Sequence, residues 1–157
     1  MSRSTALKCE KLFNKLGLGK VSYYAICLKQ LISMKTASIE LFLNEDEPIS
    51  YDKVTFAVAM NNLYEGGGFM FAPGAENHDG LLNLMVASNI SKFKILTLLP
   101  TALTGEHVKH NGIYTFSARK CAIRSSRPLW VHTDGEVETK ADYIEFECEK
   151  EAIKIVY

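Results

Sequence analysis

The 157-residue sequence has no net charge, because eighteen lysines and arginines balance eighteen aspartates and glutamates. A neutral chain gives no electrostatic case for nucleic acid or for any other strongly charged partner. It also lacks paired cysteines. Cys9, Cys27, Cys121 and Cys148 are scattered without a C-x-x-C spacing, which excludes a zinc or dithiol redox motif. No charged-then-apolar leader with a small-residue cleavage site opens the chain, so the expected compartment is the reducing cytoplasm and no disulfide framework is expected. Long apolar runs are missing too. The stretch Leu81 to Ala87, interrupted by Asn83, falls far short of the ~20 residues of a spanning helix, so any membrane contact is expected to be peripheral. There is no G-x-x-x-x-G-K-[ST] loop to cradle phosphates, and neither G-x-S-x-G nor H-E-x-x-H, which weakens acyl-transfer and zinc-protease readings. No internal repeat or low-complexity linker divides the chain.

What is present suits one domain around one core, since 47% of the residues are hydrophobic. Charge is uneven along the chain. Residues 1–35 hold seven basic residues against the single acid Glu10, whereas Glu136 to Glu151 reverses the sign. The basic start suits an anionic membrane, nucleotide phosphates or simply a solvated helix face. That leading segment reads as helical. Leu7, Leu12, Phe13 and Leu16 recur near a 3.6 period, and Tyr23, Tyr24, Cys27, Leu28, Leu31 and Ile32 form a second apolar stripe.

From Thr36 the period changes to two. Ile39, Leu41 and Leu43 fall on one face with Glu40 on the other, the turn NEDEP follows, and a return strand carries Val54, Phe56, Val58 and Met60 against Thr55, Ala57 and Ala59. Further strands are expected at Phe69 to Ala72, Leu81 to Ala87, Gly112 to Ser117, Ala122 to Ser125, Leu129 to His132 and Ile144 to Glu149, with Ile153 and Ile155 continuing the series. One helix interrupts them, from a Ser91 cap to Leu103, kinked or ended by Pro100. The expected fold class is mainly β (α+β): an antiparallel β-sandwich or partly closed barrel with N-terminal helices and one inserted helix.

Two segments stand out. In YEGGGFMFAPGAENHDGLLNLMV three glycines adjoin an apolar run that enters a Pro-Gly and an Asp-Gly turn. Read without context it is a bulged strand end with two turns. In WVHTDGEVET a strand runs into Asp134-Gly135-Glu136, a strong hairpin signal by itself.

Taken in order, Gly66 to Gly68, Phe69 to Phe71, Ala72-Pro73, Asp79-Gly80-Leu81-Leu82 and the later Asp134-Gly135-Glu136 resemble the motifs of diacylglycerol-kinase-like lipid kinases. The resemblance runs from about Lys15 to the end and covers the family's C-terminal, lipid-facing domain, here residues 1–157. The family's nucleotide-binding segment, GGDGT, does not occur in this sequence. The resemblance implies a magnesium ion held by the Asp79 carboxylate and by the main-chain oxygens of Glu76 and Leu81. One carboxylate with carbonyls and water suits a hard cation that keeps much of its hydration shell. The family commonly has a second acid four residues after this Asp; here that position is Asn83, which lowers the local charge. His78 sits in the same loop, but imidazole matches magnesium poorly.

For the second block the resemblance implies a carboxylate pair in the cleft facing the nucleotide half. Glu136 would accept the proton of a lipid hydroxyl and Asp134 would help orient it, with the two roles open to exchange. Phosphoryl transfer is mostly positioning and charge stabilisation, so an orienting carboxylate suffices. The implied activity is transfer of the ATP γ-phosphoryl group to a lipid alcohol, diacylglycerol first and a sphingoid or related lipid second. The implied partners are that lipid, the N-terminal nucleotide-binding domain and the inner membrane face, with homo-oligomers left open and no nucleic acid. Two rivals stand beside it: a non-catalytic lipid-binding or membrane-docking module, and a nicotinamide-nucleotide kinase relative, against which the GGG to DGLL block argues.

Overall fold

The structure, a computed structural model, describes residues 33–65, 68–133, 136–150 and 152. The chain divides into two compact units, Met1–Lys35 and Thr36–Tyr157, and every described strand belongs to the second. The expected leading helices and the strand around Ile153 and Ile155 lie outside the described residues.

Six strands form one antiparallel sheet: β1 (Ala37–Leu43), β2 (Ile49–Met60), β3 (Leu82–Ser88), β4 (Ile113–Ala118), β5 (Lys120–Thr133) and β6 (Glu136–Glu147). Their spatial order is β4-β3-β2-β1-β5-β6, which leaves β4 and β6 as edges of an open sheet. The one described α-helix, α1 (Lys92–Leu98), and two 3-10 turns, Leu99–Leu103 and Glu106–Lys109, lie between β3 and β4. The mainly β, antiparallel expectation therefore holds, with the inserted helix where Ser91 predicted it. Ser91 accepts the Lys94 amide at 3.2 Å as its cap. Pro100 enters the first 3-10 turn, because its ring removes an amide and cannot continue an α-helix interior.

The alternation in β1 buries Ala37, Ile39, Leu41 and Leu43 on one face. They meet Val54, Leu84, Val86, Ala118, Cys121 and Ile123, with Ile144 and Phe146 of β6 packed against them. In β2 the two expected faces are re-sorted. Lys53 takes a left-handed φ of 48°, the register shifts between Val54 and Phe56, and Val54 joins Ala57 and Ala59 on the main-core side. A bulge of this kind inserts one residue and moves everything before it to the other face.

The opposite face of β2 carries Val58 and Met60, which pack with Leu63, Phe71, Ala72 and Ala75. This second cluster corrects the expectation of a strand at Phe69 to Ala72. Only an isolated bridge, Glu65 to Phe69, forms there. The segment lies over the sheet instead: Met70 donates to the Ala102 carbonyl at 2.7 Å, and the Phe71 ring sits 5.6 Å from Phe69 and 6.2 Å from Phe56. Between a glycine run and Ala-Pro-Gly the apolar stretch is too short for a ladder, and three aromatic contacts favour covering the sheet. A second correction concerns Ala122 to Ser125 and Leu129 to His132. They are one strand, β5, interrupted by a bulge between Arg124 and Leu129 rather than by a turn.

Candidate functional site

The Asp79 turn follows from short-range hydrogen bonding. Asp79 Oδ1 accepts the Leu81 amide at 2.7 Å, an Asx turn that swings the chain into β3. Gly80 lies at φ +82°, a backbone conformation that favours glycine, and a Cβ there would lie 3.1 Å from the Lys150 side chain, which would have to give way slightly. Around the turn is a cleft of about 440 Å³ lined by Asp79, Gly80, Leu81, Arg119, Glu149 and Lys150. Two cations and two carboxylates thus face one space. Sequence reasoning missed Arg119 and Lys150; the compact Gly80 next to an Asp was the available signal that something long packs there.

The turn brings Asp79 and Leu81 together, and Glu76 does not line the cleft. Asp79 and Leu81 are half-buried, whereas Glu76 is exposed and pairs with His78 at 3.6 Å, a surface contact of little energetic weight. With one Asp79 oxygen held by the Leu81 amide, the other remains for a cation. The donor set of one carboxylate plus carbonyls fits a largely hydrated magnesium ion and fits zinc poorly. Among the described residues no three His, Cys, Asp or Glu side chains gather as a metal cage. Asn83, where the family commonly has an acid, accepts the Ser117 hydroxyl at 3.0 Å across the β3–β4 pair.

The second block occupies a different place. β1 accompanies β5 only through Ser125, so among the described residues Leu129 to Thr133 pair with β6 and form a two-stranded ribbon. At its tip Thr133 pairs with Glu136, two residues apart from closure, which is the tight hairpin that Asp-Gly predicts. Glu136 is exposed as the first residue of β6; Asp134 lies outside the described residues. The base of the ribbon is pinned to β1. Ser126 Oγ accepts the Ser38 amide at 3.2 Å, the Ser38 hydroxyl donates to Asp52 at 2.6 Å, and the Ser125 hydroxyl donates to the Arg127 carbonyl at 2.7 Å. On the shaft Trp130 stands opposite Lys140, whose Nζ is 4.6 Å from the ring centre.

The two blocks do not converge. Cys148, just past β6, donates to Arg119, and Arg119 pairs with Glu147 at 3.2 Å, so the Asp79 cleft lies at the C-terminal end of β6. Glu136 is at its N-terminal end. A twelve-residue strand has a contour of roughly 35 to 40 Å at ~3.3 Å per residue.

His107, one of two histidines between α1 and β4, is buried in the fold. Its Nε2 meets Met85 Sδ at 3.1 Å, and its ring stands edge-on to Phe71 at 5.8 Å. Burial, with a smaller contribution from nearby His110, holds its pKa below the ordinary imidazole value.

The described sheet thus carries the Asp79 turn at one end of β6 and Glu136 at the other. Residues 8–157 match the YegS C-terminal NAD kinase beta sandwich-like domain, and the chain belongs to that family. The chain is 31% identical over 118 residues to a diacylglycerol kinase of Mycobacterium tuberculosis, covering 75% of this chain and 38% of that protein. A diacylglycerol kinase of Staphylococcus saprophyticus is 24% identical over 119 residues, with 76% and 38% covered. Among solved structures, a diacylglycerol kinase from Bacillus anthracis str. Sterne superposes with a TM-score of 0.62 at 20% identity, over 88% of this chain and 46% of that one. The chain therefore spans less than half the length of the relatives it matches. Among the described residues no helix is long and apolar enough to cross a membrane.

Proposed function

We propose that this chain is the acceptor-side half of an ATP-dependent lipid kinase, acting on diacylglycerol or a related lipid alcohol. Membership of the family, with relatives named diacylglycerol kinase, supports the class. The observation that carries the chemistry is the ribbon. Glu136 begins β6, paired with Thr133 at the end of the ribbon, and a paired strand end is a rigid mount for an orienting carboxylate.

In this reading the hydroxyl oxygen of the lipid attacks the γ-phosphorus of ATP and the bond to ADP breaks. The hydroxyl proton passes to the Glu136 carboxylate while Asp134 orients the alcohol, or the two exchange roles. A lipid alcohol is a weak nucleophile, and a carboxylate that aligns it and takes its proton contributes about 10²- to 10⁴-fold. ATP binds on the nucleotide-binding domain, so the chain alone is inactive.

Magnesium would be held by the Asp79 carboxylate with the Glu76 and Leu81 main-chain oxygens. When bound there, the ion would supply positive charge that braces the turn. Its place at the far end of β6 from Glu136 favours that structural role over contact with the reacting phosphoryl group. The enzyme would act from the cytoplasm at the inner membrane face.

The test uses the full-length protein with labelled ATP and diacylglycerol. Glu136→Ala and Asp134→Ala should each lower kcat by about 10²-fold or more. Undiminished turnover in both variants would sink the assignment of these carboxylates, and no turnover by the full-length parent would leave a lipid-binding module.

A further inference from the structure

From Gly80 to Gly105 the sequence contains only two charged residues, Lys92 and Lys94, and they flank Phe93. All three lie in the first turn of α1. Phe93 is 77% exposed, the most exposed of the large hydrophobic residues described. It takes no part in the packing of its own helix, which buries Leu98 and passes on to buried Ala102. A single exposed apolar side chain needs no explanation by itself. What sets this one apart is its setting: an apolar run without an acid, and a cation on either side.

The polar groups around it are already satisfied. The Lys94 amide is capped by Ser91 Oγ at 3.2 Å, the Thr97 hydroxyl donates back to the Lys94 carbonyl at 2.8 Å, and the Thr101 hydroxyl donates to the Leu98 carbonyl at 2.6 Å. Hydrogen bonds met within the segment lower the cost of entering an interface poor in water. An aromatic ring between lysines also suits the boundary of an anionic bilayer, where the ring enters the acyl region and the ammonium groups remain at the headgroups.

We propose that Phe93, with Lys92 and Lys94, is a docking element that seats this domain on an anionic lipid bilayer. The choice of a bilayer over another apolar partner rests on the charge pattern and on the lipid-kinase reading. Docking itself requires no turnover, so the two can fail separately. The element is distinct from the basic residues of the leading segment, and it offers a bilayer contact made by the folded β-rich unit itself.

Flotation of the 157-residue chain with phosphatidylcholine vesicles, with and without added phosphatidylglycerol, tests the proposal. The chain should float with the anionic vesicles. Phe93→Ala should weaken that partition by about tenfold, the scale set by burying an aromatic side chain. Lys92→Gln with Lys94→Gln should reduce anionic binding several-fold and flatten its dependence on salt, because each lysine near such a surface is worth about a tenfold factor at most. Thermal midpoints of the variants should equal that of the parent, since Phe93 is exposed. Two results overturn the proposal: no flotation of the parent chain, or equal flotation of Phe93→Ala. Loss of self-association alongside equal flotation assigns Phe93 to a second copy of the chain. Vesicle docking that persists in a protein without kinase activity would defeat the proposed function and leave the docking element standing.

Discussion

Asn44 offers a quantitative test of how the sheet is tied together. It sits in the β1–β2 turn at φ 52°, a left-handed conformation that costs an ordinary residue about 1 kcal/mol and that Asn tolerates. Its amide donates to the Lys120 carbonyl at 2.8 Å, and its Oδ1 accepts the amides of Arg119 at 3.1 Å and Lys120 at 3.2 Å. One side chain thus joins the β1–β2 turn to the β4–β5 turn, directly beside the residue that lines the Asp79 cleft. Both bonds are exposed, so water replaces much of what is lost, and each is worth about 0.5 kcal/mol. Asn44→Ala should then cost about 2 kcal/mol, one half from φ and one half from the two amides. Asn44→Asp, which keeps an acceptor and tolerates the left-handed region, should cost less than about 0.5 kcal/mol. Asn44→Gly relieves φ but loses the acceptor and frees the unfolded chain, so it should fall between them at about 1 to 1.5 kcal/mol. Urea denaturation with a shared m-value reads all three. Equal losses in the Ala, Gly and Asp variants would refute both the backbone and the hydrogen-bond parts of the reasoning.

Gly112 lies at φ +91°, where a Cβ would fall 2.5 Å from Ile90 Cγ1 and 2.8 Å from the Ser88 carbonyl; Gly112→Ala should cost about 3 kcal/mol, seen as a midpoint lowered by about 10 °C. Since His107 has a folded pKa below its unfolded value of about 6.5, its contribution to stability is complete above that pH. It is lost as pH falls through the folded pKa, because the unfolded chain binds the proton more readily. Urea titrations from pH 7.5 down to about 5 should show that decline, and it should be shallower in His107→Asn. Burial pushes the Cys121 thiol up to about 12, so N-ethylmaleimide at about pH 8 should leave it unmodified in the native protein, as peptide mass mapping would show, and should label it once the chain is unfolded. Magnesium should raise the thermal midpoint of the parent chain and leave that of Asp79→Ala unchanged, with Asp79→Ala itself losing about 1 kcal/mol from the Leu81 amide bond.

How much of this was legible depended on whether the signal was local. The period-two alternation of Ile39, Leu41 and Leu43, the NEDEP turn and the Ser91 cap are read within a few residues, and each corresponds to an observed element. The bulge at Lys53 was not legible, because a lysine in the left-handed region carries no composition signal; tertiary pairing with both β1 and β3 imposes it. The two strands expected at Ala122 to Ser125 and Leu129 to His132 are one with a bulge between them, where Ser126 finds its partner in Ser38, eighty-eight positions away. Phe69 to Ala72 is an apolar run too short to distinguish a strand from a segment that covers one. For the candidate site, motif order and spacing supplied the residues, but nothing in the spacing says that Asp79 and Glu136 stand at opposite ends of β6.

That separation changes what each block can be asked to do. A carboxylate pair that must align a weak nucleophile gains from rigid support, and a hairpin paired along its length is stiffer than a loop. Here the stiffness depends on the base, where β5 leaves β1 and the Ser126–Ser38–Asp52 chain of hydrogen bonds ties the ribbon to the sheet. The Asp79 turn is on the other side of that junction, so a change there reaches Glu136 only through the register of β5 and β6. Loss of the turn should therefore lower stability first, whereas loss of Ser126 or Asp52 should disturb the direction of the ribbon with little effect on the turn. In the proposed kinase the acceptor-side geometry is set at the root of the ribbon by residues outside both motif blocks.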